Sequence, residues 1–95
     1  MNFLLEEGFE EELIEKMRKK YDESTIDIFR LERENVCDVI HYFQRIGIEK
    51  IEDLLLSRIE IFTKDINEIK EIFLKYNIKQ VVDEINKDLG TIDYL

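Results

Sequence analysis

The sequence predicts an all-α fold, a small helical-repeat, solenoid-like array of about five short helices in a single domain over residues 1–95. Three observations predict it. Apolar residues recur at steps of three and four along most of the chain, which is the mark of amphipathic helices. The tetrad Ile59-Glu60-Ile61-Phe62 has counterparts in Ile26-Asp27-Ile28-Phe29 and Ile92-Asp93-Tyr94-Leu95, each reading Ile, acid, large apolar, large apolar. Their offsets are equal, 59 − 26 = 33 and 92 − 59 = 33, and a fixed period of this length marks stacked repeats.

The elements follow in order. Phe9, Leu13, Ile14, Met17 and Tyr21 describe one face of a first helix, with glutamates early and Lys16, Arg18, Lys19 and Lys20 late. That polarity complements the helix dipole. Asp22-Glu23-Ser24-Thr25 reads as a breaker cluster before the first tetrad. Val36, Val39, Ile40, Phe43 and Ile46 predict a second helix over 34–46, with Gly47 as its left-handed cap. Ile48, Ile51, Leu54 and Leu55 mark a short third helix, and the central tetrad follows. Thr63 is expected to cap a fourth helix carrying Ile66, Ile69, Ile72, Phe73 and Tyr76, with Asn77 as its left-handed cap. Val81, Val82 and Ile85 mark a fifth, ended by Gly90. Gly8-Phe9, Gly47-Ile48 and Asn77-Ile78 then form a second recurring signal. Between these pairs and the next tetrad, 26 − 9 = 17, 59 − 48 = 11 and 92 − 78 = 14 residues, so the intervals differ by threes, close to whole helical turns.

Composition narrows the function classes. The net charge of −9 opposes a phosphate backbone and an anionic membrane surface as default partners. The single cysteine, Cys37, allows no intramolecular disulfide and fits a reducing cytoplasm. The start has no basic segment followed by an apolar run, so no signal peptide is expected, and no apolar run is long enough for a transmembrane helix.

The stretch Tyr42-Phe43-Gln44-Arg45-Ile46-Gly47-Ile48 through Ser57-Arg58-Ile59-Glu60-Ile61-Phe62 resembles the repeats of the mitochondrial transcription termination factor (mTERF) family. The resemblance covers residues 26–95. It implies repeats of two α-helices and a short 3₁₀ turn, stacked into a curved solenoid, with nucleic acid bound along the inner surface in many members. The family usually has proline where Ile59 stands and a basic binding surface, whereas this chain has no proline and is acidic. The resemblance therefore implies an architecture and carries no binding residue across.

Chemistry-bearing constellations are sparse. Cys37 and His41 are four apart on one predicted helix and share a face, as two metal ligands would. Zinc needs three or four ligands, and there is no second Cys or His, so Cys37 is expected at the core edge and His41 at the surface. An activated Cys–His pair would need a cleft and an orienting third group, which an amphipathic helix does not supply. Residues 86–93 have oxygen side chains at the pitch of a calcium loop, but Gly90 falls a place early and the closing glutamate is missing. No glycine-rich phosphate loop is present. No enzyme, metal or cofactor is expected.

The leading expectation is a cytoplasmic protein-interaction or adaptor module. Tyr94 and Leu95 close the chain on apolar residues, and repeat arrays need polar caps, so the uncapped ends are candidate surfaces for a protein partner or for self-association. The first alternative is nucleic-acid binding through a local basic edge of Lys16, Arg18, Lys19, Lys20, Arg30 and Arg33. The second is an acidic decoy that occupies a basic nucleic-acid-binding cleft.

Overall fold

A computed structural model describes all residues, Met1–Leu95, and shows helices without strands. The order is α1 (Phe3–Glu6), α2 (Glu11–Lys20), α3 (Glu23–Leu31), α4 (Arg33–Ile46), α5 (Ile51–Ser57), a 3₁₀ segment η1 (Ile59–Thr63), α6 (Ile66–Leu74), α7 (Ile78–Lys87) and a second 3₁₀ segment η2 (Leu89–Tyr94). The number of helices exceeds the five expected. The additions are α1, a single turn, and α3, which absorbs the first tetrad.

The reason for α3 lies in Asp22. Its carboxylate accepts a hydrogen bond from the Thr25 backbone N–H at 2.8 Å, which makes it an N-cap. The four residues read as a breaker are therefore the start of a helix, and Ile26–Phe29 are α-helical rather than a corner. The central tetrad lies wholly in η1, and the last lies in η2 except for Leu95, which follows it. Three residues per turn bring positions i and i+3 onto one ridge. Ile59 and Phe62 are accordingly both buried, with Glu60 exposed between them. Ile92 is buried and Leu95 half-buried. In α3 the same spacing buries Ile26 and Phe29 and leaves Ile28 exposed.

The turns divide in two kinds. Gly8 (φ 93°) and Gly47 (φ 98°) are left-handed. Behind each, the next residue donates back five positions, Phe9 N–H to Leu4 C=O at 3.1 Å and Ile48 N–H to Phe43 C=O at 2.9 Å. This is the Schellman closure, and it makes Gly8 and Gly47 equivalent. Asn77 is not their equal. Its φ of −74° is extended, and its side chain caps α7 by accepting from Gln80 N–H at 3.1 Å. The end of α6 closes instead through Lys75 N–H to Ile72 C=O and Tyr76 N–H to Phe73 C=O, both 3.2 Å, which need no left-handed residue. Likewise α6 is capped by Asp65, which accepts from Asn67 N–H at 2.7 Å, while the Thr63 hydroxyl turns back to Glu60 C=O. Helix α7 ends at Lys87, and Gly90 sits inside η2 rather than terminating it.

One apolar core runs through the molecule. Phe43 is fully buried at its centre, 5.6 Å from the ring of Phe62 and 5.9 Å from that of Phe73, so α4 is joined to both η1 and α6. Tyr42 meets Phe73 edge-on at 5.9 Å. Phe3 stacks on Phe29 at 5.5 Å and fastens α1 to α3. No buried residue is polar. The radius of gyration is 13.0 Å, the value usual for a rounded domain of this size.

Two asparagines hold connections across long sequence distances. Asn35, on α4, donates from Nδ2 to the Phe62 carbonyl at 3.2 Å and to the Lys64 carbonyl, and its Oδ1 accepts from Ile66 N–H at 2.9 Å. It thereby fastens the η1–α6 connection to α4. Asn86, on α7, donates to Gly47 C=O at 3.0 Å and accepts from Glu49 N–H at 2.9 Å, fastening the α4–α5 turn.

Candidate functional site

The six basic residues of the expected edge do not form one patch. Lys16 is paired with Glu12 at 3.3 Å and borders a hollow of about 100 Å³ with Glu10 and Glu52, so it belongs to an acidic surface. Lys19 and Lys20 are exposed at the end of α2, and the Lys20 amine lies 5.8 Å from the centre of the Tyr21 ring. Arg18, Arg30 and Arg33 do converge. Arg18 and Arg30 border a hollow of about 280 Å³ between α2 and α3. Arg30 and Arg33 border another of about 550 Å³ beside Met1 and Phe3. Acids accompany them, with Glu23 and Asp27 in the first hollow and Glu6 in the second. Asp27 also lies 3.7 Å from Arg30. The spacing of the bases on α2 points them to both sides of the helix, which is why the edge divides.

Cys37 and His41 share a face of α4, and Glu7 approaches that face from the turn after α1. Its carboxylate contacts the exposed His41 Nε2. Burial pushes the Cys37 thiol up to about 11, with Glu7, Asp38 and Glu6 adding to the effect. The thiolate, which is the nucleophile and the metal-binding form, is therefore strongly disfavoured at neutral pH. Nowhere do three His, Cys, Asp or Glu side chains stand close enough together to hold a metal ion. Glu7 is the partner that helix periodicity alone does not reveal, because it comes from another element.

The oxygen-rich stretch over 86–93 is committed to the fold. The Asn86 amide holds the α4–α5 turn. Asp88 caps η2 by accepting from Gly90 N–H at 2.9 Å. Asp93 pairs with Arg58 through two bonds, Nε to Oδ1 at 2.9 Å and Nη2 to Oδ2 at 2.8 Å. That fork ties η2 to the N-terminus of η1. The guanidinium holds the Asp93 carboxyl below the usual carboxylate range. Tyr21 reinforces the same region, donating its hydroxyl to Leu55 C=O at 2.8 Å.

The remaining surface feature is apolar. Ile61 of η1, Ile69, Ile72 and Phe73 of α6, and Ile92 and Leu95 at the C-terminal end line a groove of about 50 Å³, with Lys64 its one polar wall. Ile61, Ile72 and Leu95 are half-buried there, and Tyr94 of η2 is exposed nearby in sequence. Of the two residues expected to form apolar surface there, Leu95 lines this groove and Tyr94 does not. Its other walls come from η1 and α6, which the sequence does not place beside Ile92.

No helix is long and apolar enough to cross a membrane. Compared with known proteins, the chain gives no significant match to any family model, curated protein or solved structure.

Proposed function

We propose that the chain is a small, acidic protein-interaction module without catalytic activity, and that it engages its partner through the groove between η1, α6 and η2. The observation that carries this reading is the groove itself. Six of its seven lining residues are apolar, and three of these, Ile61, Ile72 and Leu95, are half-buried rather than buried. Contiguous apolar surface rimmed by polar residues marks interaction sites once it reaches a few hundred Å², and in this reading the groove is the seat of one anchor within such a contact.

In this reading the successions α4–α5–η1 and α6–α7–η2 are two units of an mTERF-like helical-repeat array, and α1, α2 and the start of α3 are a divergent unit. The Schellman turns at Gly8 and Gly47, and the burial of Ile26 with Phe29, of Ile59 with Phe62 and of Ile92, support it. The acidic surface argues that the architecture is used here for protein rather than nucleic acid. A reducing, cytoplasmic setting fits the single cysteine.

The test is affinity capture from source lysate with the parent and with Ile72→Asp, each with and without nuclease. A partner retained by the parent, lost with Ile72→Asp and indifferent to nuclease supports the module. Capture that is unchanged by Ile72→Asp refutes the groove.

A second reading, nucleic-acid binding, is favoured by one observation, the convergence of Arg18, Arg30 and Arg33. Fluorescence titration with duplex DNA and RNA at two salt concentrations tests it. The expected result is binding no tighter than about 10⁻⁴ M at physiological salt, the weak end of non-specific affinity. Micromolar binding that weakens with salt and vanishes in Arg18→Glu/Arg30→Glu would put this reading first.

A further inference from the structure

We infer that Arg18, Arg30 and Arg33, converging beside Met1, form a site for a phosphate monoester. The chain has five arginines, and the fold uses two of them. Arg58 forks onto Asp93, and the Arg45 guanidinium lies 5.7 Å from the centre of the Tyr42 ring. The other three come from three elements, Arg18 from α2, Arg30 from α3 and Arg33 from the start of α4. All three are exposed, and Arg58 is the one arginine whose side chain donates to a protein acceptor. A single carboxylate approaches the three, that of Asp27, and its 3.7 Å from Arg30 Nη1 is beyond hydrogen-bond reach.

These unused guanidinium groups nevertheless meet. Arg30 lines both the hollow it shares with Arg18 and the hollow it shares with Arg33 and Met1. The Met1 amine reports the field at that point. Burial first, then Arg30 and Arg18, hold it below its ordinary value, and no carboxylate offsets them. A chain of net charge −9 thus has a cationic spot where α2, α3 and α4 come together.

The donors select the ligand class. A guanidinium presents a planar fork of N–H groups, which suits carboxylate and phosphate alike. Forks arriving from three elements exceed what the two in-plane oxygens of a carboxylate can accept. A phosphate monoester offers three acceptor oxygens and about −1.5 to −2 charges at neutral pH. The surrounding acids then set its size. Glu6, Glu23 and Asp27 line the same two hollows, and Glu32 and Glu34 line a third with Arg30 and Arg33. An extended polyanion would meet these carboxylates as well as the repulsion of the whole chain. One phosphate group is smaller than the Debye length, about 8 Å at physiological salt, and answers mainly to its nearest charges. The acids therefore select against a nucleic-acid backbone and for a single phosphate, carried by a small molecule or by a modified side chain. This site requires neither the apolar groove nor a nucleic acid.

The experiment follows the arginine Nε–Cζ signals of the full, isotope-labelled chain by carbon-detected NMR at neutral pH and fixed ionic strength. The probes are inorganic phosphate, a phosphoserine peptide, its unphosphorylated copy and a short DNA duplex. Saturable shifts of Arg18, Arg30 and Arg33 are expected with the first two probes, while Arg45 and Arg58 stay in place as internal controls. Arg30→Gln should weaken both by about three-fold or more, the scale of an exposed ion pair. Lys87→Gln removes the same charge from the exposed end of α7 and should leave both unchanged. Equal affinity for the two phosphate probes assigns the site to a free phosphate compound, and a markedly tighter peptide assigns it to a phosphorylated side chain; either outcome supports the site.

The inference is overturned if neither phosphate probe gives a saturable shift, or if Lys87→Gln weakens binding as much as Arg30→Gln. It is also overturned if the unphosphorylated peptide binds as well as the phosphorylated one. A duplex that binds more tightly than both phosphate probes would overturn it in favour of the nucleic-acid reading.

Discussion

Replacing Asn35 by Ala should cost more than any other single change at a half-exposed polar position. The side chain makes three hydrogen bonds, to the carbonyls of Phe62 and Lys64 and from the N–H of Ile66. A typical intramolecular bond contributes about 1 kcal/mol net, but partners left without one cost more than that where water cannot replace it. The Ile66 N–H and the Phe62 carbonyl lie in part-buried bonds, whereas the bond to Lys64 is exposed and water can replace it. Two costly losses and one cheap one give about 2–3 kcal/mol. For a domain of under 100 residues each kcal/mol moves Tm by roughly 4–8 °C, so a drop on the order of 10–20 °C is expected. Asn86→Ala supplies the internal control. It loses two bonds, both exposed, and should cost roughly 1 kcal/mol or less. Asn35→Asp keeps the acceptor for Ile66 but turns a carboxylate towards two carbonyls, and should be at least as damaging as Ala. Thermal melts by circular dichroism measure all three, with amide exchange at Ile66 as the local readout. If Asn35→Ala melts with the parent, or no lower than Asn86→Ala, the connection is held by packing and the clamp is incidental.

Ile59→Asp places a charge at a buried position of η1 and should destabilise by roughly 3 kcal/mol or more; a parent-like denaturation midpoint would show the tetrad to be dispensable. Gly47→Val forces a β-branched residue to a φ of 98° and should cost more than about 1 kcal/mol, whereas Asn77→Ala should cost about 1 kcal/mol through the lost cap and Asn77→Gly only a few tenths. Equal responses of Gly47 and Asn77 to glycine-removing and glycine-adding changes would contradict the two kinds of turn. The Arg58–Asp93 fork carries a pH signature. A carboxyl whose folded value is depressed contributes stability above its unfolded value, about 4, and loses it as pH falls through the folded value. The Tm gap between the parent and Asp93→Asn should therefore be present at neutral pH and close on acidification below about pH 4; a gap that persists there would mean that Asp93 acts by something other than its charge.

The helical character and the faces of α2, α4, α6 and α7 are legible in the sequence because each has a spaced apolar set long enough to define a stripe. The left-handed Gly47 is legible for the same local reason, since glycine has few other uses at that position. Short-range signals mislead where one residue type serves two ends of a helix. Asp22 can break one helix or begin another, and Asn77 can close α6 or open α7; in both places the N-cap prevails. The choice between Thr63 and Asp65 as cap turns on a two-residue shift that composition does not settle. The clamps by Asn35 and Asn86, the Glu7 contact to His41 and the Arg58–Asp93 fork join residues about 30 to 40 apart in the chain. Nothing periodic announces them. The candidate groove was half legible: its apolar C-terminal wall stands in the sequence, while the approach of Ile61 and Ile72 is a product of packing.

The unequal lengths of α5 and α7 bear on how this chain tolerates insertion. Helix α5 has 7 residues and α7 has 10, yet each is followed after a single residue by a 3₁₀ segment that buries an Ile. The difference of 10 − 7 = 3 residues is close to one turn, a lengthening of about 4.5 Å that returns the chain to nearly the same azimuth. The buried Ile of each 3₁₀ plug lies 59 − 57 = 2 residues past α5 and 92 − 87 = 5 past α7, again a difference of three, close to one turn. Insertions of three or four residues on the exposed side of α5 should therefore be absorbed as an extra turn, while insertions of one or two would rotate the plug out of the core. A library of indels in this helix would be expected to survive in bands spaced by the helical pitch, a pattern that a loop of the same length would not produce.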